Sequence, residues 1–169
     1  MQRILGIDPG SRITGFGLID SDGVRSIHIA HGILRLEGEA LPPRLGEIFA
    51  RISELIERHR PEVMAIEQVF VAKNPASALK LGQARGAAIC AAMQHGLSVA
   101  EYTPTRIKQS VMGTGRADKG QIQHMRGCPG FRFGNVVGSA ILWLLRLENN
   151  VPLIVRGEIE EVRGTVIPF

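Results

Sequence analysis

Two short apolar runs each end in a carboxylate: Ile4-Leu5-Gly6-Ile7-Asp8 and Val63-Met64-Ala65-Ile66-Glu67. Both are strand-like, and an acid at the end of such a run constrains the fold. Taking a carboxylate out of water costs several kcal/mol even after relaxation, so each acid must emerge at a cleft, meet a cation or be densely hydrogen-bonded. Alternation places Ile4, Gly6 and Asp8 on one face of their strand, and Ala65, Glu67 and Val69 on one face of theirs. If the two strands are neighbours, the acids meet at their ends and suggest a divalent-metal site. Metal-assisted phosphodiester hydrolysis uses such a cluster, with ions about 3.5–4 Å apart at the attacking and leaving oxygens. Hard oxygen ligands favour magnesium or manganese over zinc. A plainer reading stands beside this one, in which Asp8 caps the Pro9-Gly10 turn and Glu67 pairs with a basic residue.

The rest of the chain supplies a framework for these runs. Residues 2–9 read as a strand, Asp8-Pro9-Gly10-Ser11 as a turn, 13–20 as a second strand, and Ser21-Asp22-Gly23 as the turn into a third over 24–36. In the third, Ile27, Ile29 and His31 alternate with His28, Ala30 and Gly32, which predicts opposite faces for the two sets. Leu45, Ile48, Phe49, Ile52, Leu55 and Ile56 recur at a spacing that only a helix places on one side, and Pro61 stops it. After a buried strand over 63–70, Asn74-Pro75 provides an N-cap and first-turn proline for a long helix to about residue 95. Its Gly82 and Gly86, four apart, suit close packing against a sheet or a partner helix. Residues 99–102 predict a fifth strand, 105–112 a short helix and 118–125 the start of another. The order βββαβαβα predicts an α/β fold: a mixed five-stranded sheet, three strands antiparallel and then two parallel, with helices on both faces.

A length of 169 residues fits one domain with its own core. No run approaches the roughly 20 apolar residues of a membrane span, and the chain enters its first strand without a basic-then-apolar leader, so a cytoplasmic location is expected. The two cysteines, Cys90 and Cys128, lack metal-ligand spacing and are expected to be reduced. The formal net charge of +4 favours an anionic partner. The basic residues of interest are Lys73, Lys80, Arg85, Arg106, Lys108, Arg116 and Lys119, a stretch whose only acids are Glu101 and Asp118.

Three longer words are more specific: ILGIDPGSRITGFG, AIEQVFVAKNPASALKLGQARGAAI and EYTPTRIKQSVMGTGRADKGQIQHM. In this order and spacing they closely resemble the RuvC family of Holliday-junction resolvases, over about residues 3–125. The resemblance implies a ribonuclease-H-like fold, a homodimer, and magnesium-dependent incision of two opposed strands of a four-way DNA junction, with manganese a possible substitute. It also implies cooperation with a RuvA–RuvB branch-migration complex in recombination and repair. By the same resemblance Asp8 and Glu67 are catalytic metal ligands, Lys108 and Lys119 sit by the scissile phosphate, and Phe70 contacts junction bases. A lysine point charge suits a phosphate, and an exposed aromatic suits unstacked bases. Lys73, Lys80, Arg85, Arg106 and Arg116 are general candidates for DNA phosphates. Phe70 as core, Lys73 and Lys80 as solvated helix positions, and His124 as a helix-surface residue rather than a water-polarising one are the plain alternatives.

The resemblance stops near Met125. Family members carry a further aspartate pair on the last helix, in a word like DAADALA, and counting from Met125 at the family's spacing reaches Ser139 and Leu142 instead. Gly127-Cys128-Pro129-Gly130 interrupts the helix that should continue from His124-Met125, and every Asp, Lys and His of the chain lies before residue 126. Residues 1–125 are therefore expected to form the resolvase domain and 126–169 an atypical segment, with an apolar helix over 136–147 and strand-like stretches at 151–155 and 158–167. Its acids, Glu148, Glu158, Glu160 and Glu161, are poorly placed to replace the missing pair. A change this abrupt suggests a frameshift, a fusion or a rearranged gene end. Two other functions fit parts of the chain. One is a junction-binding protein that no longer cleaves. The other is a nucleotide-binding domain, because GIDPGSRITGFG also resembles the first phosphate loop of sugar kinases and actin-like ATPases; those proteins, however, need two such domains around a cleft.

Overall fold

The computed structural model describes residues 1–22, 26–69, 74–103 and 153–154. Strands β1 (Gln2–Asp8), β2 (Ile13–Ser21) and β3 (Ser26–Arg35) form an antiparallel meander. Helix α1 (Leu41–His59) leads to β4 (Val63–Glu67), and helix α2 (Pro75–Gln94) leads to β5 (Ser98–Tyr102). β4 joins the free edge of β1 in parallel and β5 joins β4 in parallel, so the order is β5-β4-β1-β2-β3. This is the mixed five-stranded sheet that the sequence predicts. A two-residue strand, β6 (Leu153–Ile154), adds in parallel to the outer edge of β3. It falls inside the strand-like stretch at 151–155, while the stretch at 158–167 lies outside the described residues.

Both described helices pack on one face of the sheet. Leu5, Ile7, Phe16, Leu18, Met64 and Ile66 from the strands meet Ile48, Ile52, Leu55 and Ile56 of α1 and Ala84, Ala88, Ala91 and Ala92 of α2 in one buried cluster. The helices expected over 105–112, 118–125 and 136–147 lie outside the described residues. None of the described helices is long and apolar enough to cross a membrane. Cys90 is a free, exposed thiol, whereas Cys128 lies outside the described residues.

Local chemistry explains the helix ends. α1 begins at Leu41, earlier than its apolar spacing suggests, because Pro42 and Pro43 fall in the first turn, where a missing N–H breaks no helical bond. It ends at Arg60, which adopts a left-handed conformation (φ 50°) and donates its N–H to the Ile56 carbonyl at 2.8 Å before Pro61 blocks continuation. For α2 the expected cap is present: the Asn74 side chain accepts from the Ser77 N–H at 3.2 Å.

Two expectations about packing are corrected. Among the described residues a Cβ placed on Gly82 or Gly86 would meet nothing within 4 Å, so these glycines do not serve a close approach to the described sheet or to α1. At about 100° per residue they lie opposite the core-facing alanines, on the same side of α2 as the exposed Leu79 and Met93. In β3, Ala30 pairs with Leu18 but His28 pairs with Ile19, so Ile29 is an extra residue bulged out of the ladder. The bulge cancels the alternation and brings His28 to the same face as His31, with Nε2 of His28 2.9 Å from Nδ1 of His31 and both rings buried.

Candidate active site

β1 and β4 run in parallel with Ile4 opposite Val63 and Ile7 opposite Ile66, and both strands end one residue later, at Asp8 and Glu67. Parallel neighbours lie about 4.8 Å apart, so the register sets the two carboxylates side by side on the sheet face away from α1 and α2. They stand at the carboxyl ends of parallel strands, the edge at which open α/β sheets bind ligands. On the other flank of Asp8 the register partner is Gly15, and one row further in Gly6 faces Gly17. No β2 side chain stands beside the acid.

The turn after Asp8 is closed without it. The Gly10 N–H donates to Thr14 Oγ1 at 3.3 Å, and the Thr14 hydroxyl donates to the Gly10 carbonyl at 2.8 Å. Residue 10 must be glycine, because a Cβ there would lie 2.0 Å from the Ile13 carbonyl oxygen. The loop is tied to α1 by Arg44, a buried residue that donates to the carbonyls of Ser11 at 2.6 Å, Ala40 at 3.2 Å and Glu39 at 3.2 Å. Asp8 is therefore not the cap of the Pro9-Gly10 turn, and among the described residues nothing donates a hydrogen bond to its carboxyl. Burial pushes that carboxyl up from 3.8 to about 6.

Glu67 is reached through its main chain by a basic residue. The Arg85 Nε–H donates to the Glu67 carbonyl oxygen at 3.0 Å, and the other arm of the guanidinium pairs with the Glu101 carboxylate. Gln68 follows, with its N–H on the Tyr102 carbonyl at 2.8 Å and its side-chain amide 3.5 Å from Glu101.

Of the residues singled out in the sequence, Asp8 and Glu67 come together, Lys80 is exposed on α2, and Arg85 is engaged inside the protein. Phe70, Lys73, Arg106, Lys108, Arg116, Lys119 and His124 lie outside the described residues. Sequence reasoning missed Arg44 and the partnership of Arg85 with Glu101. Nothing local marks an arginine that binds carbonyls far along the chain, although an acid in an otherwise basic stretch was a signal that Glu101 has a partner. The pair of hard carboxylates, one raised and lacking a donor, suits a divalent cation. Among the described residues no group of three or more His, Cys, Asp or Glu side chains surrounds it.

Residues 4–127 match the family described as Crossover junction endodeoxyribonuclease RuvC. Over 125 residues the chain is 59% identical to RuvC of Pseudoalteromonas atlantica, covering 74% of this chain and 72% of that protein. It is 57% identical to RuvC of Alkalilimnicola ehrlichii over 125 residues, covering 74% and 76% respectively. The solved structure of Thermus thermophilus RuvC matches with a TM-score of 0.71 at 30% identity, covering 87% of this chain and 92% of that one. The same protein in complex with Holliday junction substrate matches with a TM-score of 0.71 at 28% identity, covering 85% and 92%. The sheet is thus the ribonuclease-H-like sheet of RuvC, and the matched stretch carries both carboxylates and ends where the sequence changes character. Register, turn chemistry and these likenesses agree that the chain belongs to the RuvC family of crossover junction endodeoxyribonucleases.

Proposed function

We propose that this chain is a crossover junction endodeoxyribonuclease that makes paired, metal-dependent nicks in four-way DNA junctions during recombination and repair. One observation carries the reading: within the family-matched stretch, the parallel register sets Asp8 beside Glu67 at a strand edge, with the Asp8 carboxyl raised and lacking a donor. Magnesium is the metal, with manganese as substitute, since the ligands are hard oxygens. When bound, it supplies Lewis acidity to the scissile phosphate and the attacking water. Asp8 and Glu67 hold and orient it. Lys108 and Lys119 place point charges by the phosphate, Phe70 stacks on bases at the crossover, and Lys73, Lys80, Arg106 and Arg116 follow the backbone phosphates.

The protein works as a homodimer in the cytoplasm, together with a RuvA–RuvB branch-migration complex. The outer side of α2 supports the dimer, because exposed Leu79 and Met93 flank Gly82 and Gly86 and form an apolar surface that suits a second copy. Residues 1–125 form the resolvase domain and 126–169 an atypical C-terminal segment that does not match the family, although its β6 adds to the edge of the sheet.

A synthetic four-way junction tests the activity. Incubation with the protein and magnesium is expected to give both a retarded complex and symmetric nicks. A complex without nicks would reject the endonuclease and leave a junction-binding protein. Log affinity is expected to fall with log salt by about 0.9 per neutralised phosphate, and a flat response would sink the DNA-binding face.

A further inference from the structure

We infer that Arg85 is a positioning residue for the Glu67 carboxylate rather than a DNA contact. The inference rests on the reading of Glu67 as a metal ligand and adds how its orientation is set. α2 covers one face of the sheet, and alternation turns Met64, Ile66 and Glu101 toward it while Glu67 turns to the opposite face with Asp8. Arg85 therefore approaches Glu67 from behind the sheet.

Its two arms do different things there. Nε–H binds the Glu67 carbonyl oxygen at 3.0 Å, and the other arm is anchored by the Glu101 carboxylate. The N–H of the same peptide group, contributed by Gln68, donates to the Tyr102 carbonyl at 2.8 Å. The Glu67–Gln68 peptide is thus held at both its oxygen and its nitrogen, at the point where β4 ends and a ladder ordinarily frays. With that plane held, the backbone from which the Glu67 side chain departs toward the Asp8 face of the sheet is held too. The positive charge of Arg85 is meanwhile matched by Glu101, and its side chain is only 18% exposed. With that charge matched and two of its nitrogens committed inside the protein, Arg85 is a weak partner for a DNA phosphate. The planar fork is essential, since a lysine ammonium is a point charge and does not span the carbonyl and the carboxylate together.

The test uses the full chain and manganese alone. Mn²⁺ affinity is read by electron paramagnetic resonance without DNA, junction affinity by gel shift in EDTA, and folding by circular dichroism. Arg85→Ala and Arg85→Lys are each expected to weaken Mn²⁺ about tenfold, as loss of a supporting contact behind a metal ligand does. Their junction affinity in EDTA is expected to stay within about twofold of the parent, with an unchanged salt slope. Arg85→Lys keeps the charge, so it decides the matter if the alanine variant fails to fold. Unchanged Mn²⁺ affinity in the folded variants, or a salt slope reduced by about 0.9, overturns the positioning role and returns Arg85 to the phosphates. Glu67→Gln separates the two layers. If it is weak for Mn²⁺ while the Arg85 variants are normal, only this inference falls; if it binds as well as the parent, the metal-ligand reading falls and this inference with it.

Discussion

At the scale of single residues, Asp8 combines a structural cost with the proposed role of metal ligand. Its carboxyl, raised from 3.8 to about 6 by burial, holds its proton more tightly in the folded chain than in the unfolded one. The stabilisation from that proton is complete below pH 3.8 and disappears as pH rises through 6, leaving at pH 7 a penalty on the order of 1–3 kcal/mol. Asp8→Asn is therefore expected to raise the melting temperature at pH 7 by a few degrees, to show no gain at pH 4, and to abolish cleavage. Calorimetry at the two pH values checks the first two expectations. Millimolar magnesium is expected to raise the melting temperature of the parent and leave Asp8→Asn unmoved. Asp8 was legible in the sequence because an ion closing an apolar run is conspicuous. Arg44 was not legible, since its partners are backbone oxygens that no side-chain pattern announces, and Arg85 was legible only as a charge, with the lone acid Glu101 the one hint of its partner. Arg44→Ala would strand the carbonyls of Ser11, Glu39 and Ala40, and a loss of about 2–3 kcal/mol in urea unfolding is expected.

At the scale of elements, apolar strands and capped helices could be read directly, whereas departures from periodicity could not. β1 and α2 fall close to where their residues predict, because long apolar or proline-capped segments leave few alternatives, whereas β4 starts as expected but stops at Glu67, short of the predicted 70. The bulge at Ile29 leaves no mark in an alternating string, yet it decides that His28 and His31 share a face. Burial, and then the charge of His28, holds His31 below its ordinary 6.5. A base lowered in this way gives stability that is present above pH 6.5 and lost as pH falls, so in the Asp8→Asn background, which removes the opposing contribution of Asp8, thermal scans from pH 7.5 to 5 are expected to show a declining melting temperature. His31→Gln is expected to flatten that slope. α2 gives a prediction of opposite sign for stability and assembly. Gly82→Ala and Gly86→Ala enter open space and are each expected to stabilise the helix by up to about 1 kcal/mol. Gly86→Leu, which adds bulk on the same outer side of α2, is expected to shift light-scattering mass from dimer to monomer while helicity is kept.

For the whole molecule, the family match over 4–127 and the change in composition at residue 126 coincide. Translation of the encoding DNA beyond codon 125 in the other two frames is expected to reveal an aspartate-bearing helix in one of them. If neither frame contains it, the frameshift origin is wrong. The fold was readable because the first two words carry most of β1 and β2, the end of β4 and most of α2, while the segment after residue 126 offered no comparable pattern.

The order of the sheet also sets a timetable. β1 pairs with β2 across one short turn, but its other edge waits for β4, which emerges only after the whole of α1. Hairpin contacts close early and crossover pairings late, because the longer loop costs more entropy to close. On the ribosome, Asp8 is thus made and placed long before Glu67 exists. Asp8 and Glu67 therefore come together only once β4 has docked on β1, after the hairpin that carries Asp8 has formed.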